Sequence, residues 1–229
     1  MIKGRQLAKR LLIMTFSILL IHSWGGTLIG RAATQSQVQV SLTPTDDESA
    51  VPPVDPDNPS KPYPGDSADA GNVTGTGSQG QLTIDYVSNL KFNATTTQRG
   101  PVQTTAENQR AMVQVTDRRS TGAGWTLQVT PSPLQSRQRT LSTTLNLGTV
   151  HLQAGAGNVS MAPQVVNTTD LKPGMANNVL VADQHSGLGT WLLVLNRGTQ
   201  PTTLTINDQQ LTAGNYTGRL AWSLTNAPN

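Results

Sequence analysis

From residue 81 to residue 229 no stretch carries the apolar stripe of period 3.6 that a packed helix presents to its neighbours. Apolar and polar residues alternate instead in short runs, and glycine or proline interrupts them about every ten residues. The stretch as a whole is rich in threonine, valine, asparagine and glutamine. A chain so punctuated buries its apolar faces by stacking sheets, so the expected class is all-β: a β-sandwich of short, mostly antiparallel strands. The expected strands are 82–87, 111–116, 125–130, 144–152, 190–196, 202–206 and 218–225. One of them stands apart. Trp191-Leu192-Leu193-Val194-Leu195 is apolar at every position, as in a central strand covered on both faces.

Residues 1–32 read as a secretory signal peptide. Lys3, Arg5, Lys9 and Arg10 form its charged start, an apolar stretch follows over 11–21, and Gly30-Arg31-Ala32 offers small residues for cleavage. The apolar stretch is shorter than the roughly 20 residues that a spanning helix needs, so no stable membrane span is expected after cleavage. Five of the 16 basic side chains lie in this segment, which leaves 11 against 13 acidic ones, net −2. There is no cysteine, which excludes disulfides, thiol catalysis and cysteine-ligated zinc. Nothing at the C-terminus resembles a membrane tail or sorting signal, so retention at the surface is expected to be non-covalent.

Residues 33–80 hold seven of the 14 prolines, seven acidic side chains and one basic one. Composition of this kind buries little apolar surface, and the expectation is an extended or disordered acidic Pro/Gly-rich linker. A short alternation over 38–42 (Val-Gln-Val-Ser-Leu) is its one strand-like piece. The domain proper is then residues 81–229, with ten basic and six acidic side chains.

Within that domain a tryptophan–x–leucine tripeptide occurs twice, as Trp125-Thr126-Leu127 and Trp222-Ser223-Leu224. In a strand, alternate side chains share a face. Trp125, Leu127 and Val129 thus oppose Thr126, Gln128 and Thr130. Leu220, Trp222 and Leu224 likewise oppose Arg219, Ala221 and Ser223. That periodicity favours both tryptophans filling the core. The other reading is an aromatic platform for the apolar faces of sugar rings.

The chain resembles the WxL-domain family, cell-surface proteins of low-GC Gram-positive bacteria. The resemblance rests on residues 80–92 (Gly-Gln-Leu-Thr-Ile-Asp-Tyr-Val-Ser-Asn-Leu-Lys-Phe), on 113–119 leading into Gly124-Trp125-Thr126-Leu127, and on Tyr216 to Pro228. Ala221 stands where the family commonly has threonine. The resemblance implies non-covalent attachment to the cell wall by binding peptidoglycan, in complexes with other exported surface proteins. It also implies that Trp125, Leu127, Trp222 and Leu224 are needed for attachment.

Six arginines lie between residues 99 and 139 (Arg99, Arg110, Arg118, Arg119, Arg137 and Arg139). A guanidinium fork suits the carboxylates of peptide stems and the phosphates of teichoic acid, and the same residues also suit a solvated surface. Expected ligand contacts are Gln128, Arg219, Arg118 and Arg119. Modest net charge and core-facing aromatics argue against nucleic acid. No carboxylate pair, nucleophile motif or calcium loop stands out, His151 and His185 read as loop or strand residues, and no enzyme activity, metal or cofactor is expected. The alternative function is a structural or adhesive subunit whose main ligand is another surface protein or a host or plant polymer.

Overall fold

The computed structural model describes residues 39, 47–95 and 100–226. The expected signal peptide, most of the 38–42 alternation, Arg99 and the final Ala227-Pro228 lie outside the described residues. No helix among the described residues is long and apolar enough to cross a membrane.

Among the described residues fifteen strands are present, all paired antiparallel. In chain order they are β1 (Val54–Asp55), β2 (Asn58–Pro62), β3 (Leu82–Val87), β4 (Val102–Thr105), β5 (Met112–Asp117), β6 (Trp125–Pro131), β7 (Leu134–Gln135) and β8 (Thr140–Leu141). There follow β9 (Thr143–Asn146), β10 (His151–Ala154), β11 (Gln164–Val165), β12 (Asn177–Ala182), β13 (Gly189–Val194), β14 (Thr203–Ile206) and β15 (Leu220–Thr225). One four-stranded sheet has the order β10-β13-β5-β3 and another the order β11-β12-β6-β15. Val113, Val115, Trp191 and Leu193 of the first pack with Trp125, Leu127, Val129 and Leu180 of the second in one core. A third sheet, β4-β14-β9, adds Leu145 and Leu204 to that core. The all-β sandwich expected from the alternation is what the chain forms.

The seven expected strands all exist, with one division. The run 144–152 splits into β9 and β10 at Gly148, whose φ of +71° and close approach to the carbonyls of Gln200 and Pro201 leave no room for a side chain. Strand β12, central in its sheet, has no clear signature in the sequence. A bulge between Asn178 and Leu180 places Val179 and Leu180 together in the core, and the period of two is lost where it would have shown the strand.

Residues 47–80 depart from the expected disordered linker. They pack on the outer face of the β10-β13-β5-β3 sheet and belong to the same compact unit as residues 81–226. Met112, Leu192 and Val194 point out of that face and form a second core with Tyr86, Tyr63 and Val54. The rings of Tyr63 and Tyr86 lie 4.8 Å apart at 53°. The apolar surface being covered belongs mainly to the sheet, so the segment's own low apolar content is no obstacle. Its prolines fit because β1 and β2 form a separate two-stranded hairpin.

Polar anchors complete the attachment. The buried Asp66 carboxylate accepts N–H bonds from Ala68 (2.9 Å), Gln109 (2.8 Å) and Arg110 (2.6 Å). The fully buried Gln114 amide accepts from the Val54 N–H and donates to the Pro52 carbonyl and to Asp85. β13 is therefore covered on both faces, as its unbroken apolar run requires, and the covering layer is the N-terminal segment.

Candidate functional site

The two Trp-x-Leu motifs lie on neighbouring strands, β6 and β15, with Trp222 opposite Val129 and Leu224 opposite Leu127. Their large side chains share the inner face of the sheet, as the alternation indicates. Position in the sheet then separates them. β6 is central, and Trp125 and Leu127 are wholly buried. The Trp125 indole N–H donates to the Gly187 carbonyl at 3.0 Å. Gly187 has φ +71°, and a Cβ there would stand 2.5 Å from Ala182 Cβ and 2.8 Å from Trp125 Nε1. Trp125 is thus a core residue held in a fitted seat.

β15 is the edge strand, and Trp222 and Leu224 are only half-buried against the same core. One side of Trp222 walls a groove of about 560 Å³, within the range of small-ligand sites. The buried Leu204 and Leu145 line it together with the half-buried Leu90 and Phe92 on the segment after β3, and Leu134 and Leu220 extend the apolar lining. Lys91 and Arg219 sit in the same lining, both exposed.

Both walls are fixed by hydrogen bonds. The buried Asn108 side chain accepts from the Lys91 N–H at 2.9 Å and donates to the Asn89 carbonyl at 3.0 Å. Asp69 receives the Asn89 N–H at 2.9 Å, which ties this wall to the N-terminal segment. Opposite, Ser132 and Arg219 exchange backbone and hydroxyl bonds at 2.8 Å, and Gln135 pairs with Thr217. Leu90, Lys91, Phe92 and Asn108 were not among the expected site residues. The first three lie in the stretch that carries the family likeness, but no periodicity marks them as facing β15.

The other expected contacts are dispersed. Gln128 faces away from the core and donates to Asn178 Oδ1 at 2.6 Å, with Ser223 opposite it on β15. The Arg118 guanidinium meets Asp47 at 3.2 Å and the carbonyls of Ser49 and Gly80, fastening the N-terminal segment. Arg119 grips the buried Asp117 carboxylate at 2.8 and 2.9 Å and also bonds the Gly124 carbonyl and Asn226. Arg110 pairs with Asp57 and Arg139 with Asp208, each at 3.3 Å. The run of arginines is therefore not a convergent patch. Of its described members only Arg137 lacks an aspartate partner.

A wider depression of about 760 Å³ lies between Val51, Val54 and the loop 155–160. Glycine and loop backbone line much of it, and its one cation is the engaged Arg118. Among the described residues no three histidine, aspartate or glutamate side chains converge as metal ligands. The buried Asp85 carboxylate has a raised pKa. Burial is the main cause, partly offset by hydrogen bonds from Thr116, Thr83 and Gln114. It lies beneath the N-terminal segment, not in the groove.

A family model described as WxL domain, surface cell wall-binding, matches residues 30–228. No curated protein and no solved structure matches the chain.

Proposed function

The chain belongs to the WxL family of surface cell wall-binding domains, and from that premise we propose that it attaches non-covalently by binding peptidoglycan directly, through the groove that Trp222 walls. The observation that carries this reading is the unequal placement of the two motif tryptophans. Trp125 is sealed in the core, whereas Trp222 keeps an accessible face in a preformed groove whose two walls are pinned by hydrogen bonds. A rigid, partly apolar concavity binds without first having to order its own walls.

Binding without catalysis fits the state of the acids. Asp117 is neutralised by Arg119, Asp208 by Arg139, and Asp85 is enclosed by three hydrogen-bond donors. All three are held by partners within the fold, and none of them stands free for acid–base work on a glycosidic bond. Membership of a surface complex is supported separately by Met161, Val165 and Val166. These exposed apolar side chains lie on and beside the edge strand β11, where a partner protein would find both apolar surface and a free sheet edge.

The test is sedimentation of purified residues 33–229 with peptidoglycan sacculi stripped of proteins and teichoic acids. Saturable co-sedimentation is expected, with no release of reducing ends in the same tube. Loss of all binding on stripping would refute direct peptidoglycan recognition and leave a surface protein or teichoic acid as the ligand.

A further inference from the structure

We infer that the Trp222 groove reads the peptide stem of peptidoglycan and not its glycan strand; the inference rests on the direct-binding reading above. Two observations point to a ligand that is at once anionic and rich in small apolar groups. The first is the distribution of paired charge. Ten basic side chains are described, and six of them (Arg110, Arg118, Arg119, Arg139, Lys172 and Arg197) have an aspartate partner. Two of the four that do not, Lys91 and Arg219, line this one groove, and no acidic side chain lines it with them. Unpaired cations at the rim of a groove draw an anion and give the encounter its orientation.

The second observation is the surface between those cations. Leu90, Phe92, Leu134, Leu220 and Trp222 make it mostly apolar, and of its six hydroxyl and amide side chains Ser88, Asn89, Ser132 and Tyr216 already hydrogen-bond within the fold, which leaves Thr143 and Thr217. A glycan strand presents hydroxyls around every ring, and most would be left without partners against leucine and phenylalanine. Teichoic acid is a hydrophilic polyphosphate that offers the cations charge but the walls nothing. A stem peptide offers both, since alanine methyl groups suit the walls and free carboxylates suit Lys91 and Arg219. Trp222 then acts as an apolar wall for methyl groups and peptide planes, not as a stacking platform for a sugar.

The experiment uses residues 33–229 with two stripped substrates. One is intact sacculi, and the other is glycan strands from which an N-acetylmuramoyl-L-alanine amidase has removed the stems. Binding to intact sacculi is expected, with competition by the released stem peptides and at least about a tenfold weaker response to the bare strands. The double variant Lys91→Gln/Arg219→Gln should lose about tenfold in affinity for sacculi at an unchanged melting temperature, because neither side chain has an ionic partner among the described residues. Competition by bare strands as effective as by stems would overturn the stem assignment while direct binding stands. So would wild-type affinity in the double variant. Absence of binding to intact sacculi would overturn both readings together.

Discussion

Tyr63→Ala asks whether the segment before residue 81 is part of the fold or a stalk. Tyr63 is 6% exposed, its ring packs 4.8 Å from that of Tyr86, and its hydroxyl donates to the Arg110 carbonyl at 3.3 Å. Removing a buried aromatic ring and leaving the cavity costs about 3–5 kcal/mol, a range that includes the roughly 0.5–1.5 kcal/mol of an aromatic pair. The hydroxyl contributes little at that length, so Tyr63→Phe should cost under about 1 kcal/mol. Local detachment of residues 47–80 limits the loss, because a segment that is already undocked has no more to lose. The expected figure is therefore about 3 kcal/mol, at the low end of the range. Urea unfolding of residues 33–229, followed by the fluorescence of Trp125 and Trp191 in the main core, would read this. With a slope of about 2 kcal/mol/M for a domain of this size, the midpoint should fall by roughly 1.5 M. Limited proteolysis should cut within 47–80 faster in the variant. A midpoint within about 0.2 M of the parent, with unchanged cleavage, would refute the claim that the segment covers the sheet.

Gly187→Ala forces a side chain onto φ +71° and against Trp125 and Ala182, and should lower stability by about 1–3 kcal/mol in the same unfolding assay. Arg119→Gln strands the buried Asp117 carboxylate and should cost about 3 kcal/mol, whereas Arg219→Gln should leave the melting temperature unchanged; differential scanning calorimetry separates the two. Asp85 has a folded pKa above its ordinary value of 3.8, chiefly through burial, so the folded state binds that proton more tightly than the unfolded chain. The stability of the parent relative to Asp85→Asn should therefore rise as pH falls from neutral through the raised value towards 3.8, and urea midpoints at successive pH values would show it.

The strands with clean alternation were legible because their period survives into the structure: 82–87 and 125–130 reappear as β3 and β6 almost to the residue. β12 was hidden by its bulge. The covering layer was half legible. Trp191-Leu192-Leu193-Val194-Leu195 demanded a cover on its second face, but composition alone could not say that Tyr63, Val54 and a set of buried polar anchors would supply it. Of the candidate site, the inward direction of both tryptophans was readable from the period of two. Which one keeps an open face depends on strand order, and strand order comes from pairings distant in sequence. For the same reason Arg118 and Arg119 looked available. Their partners Asp47 and Asp117 lie 71 and two residues away, and nothing in the spacing tells a paired arginine from a free one.

The division of labour between the motif tryptophans is tested most directly by the binding isotherm of Trp222→Ala on stripped sacculi. Half-buried at an edge, Trp222 should cost only about 1–3 kcal/mol on truncation, less than a fully buried indole, so the variant remains folded with a cooperative melting transition. The groove loses one wall, and affinity for sacculi should drop by at least about tenfold. A folded Trp222→Ala that binds sacculi as the parent does would contradict the assignment of the groove as the wall-binding site.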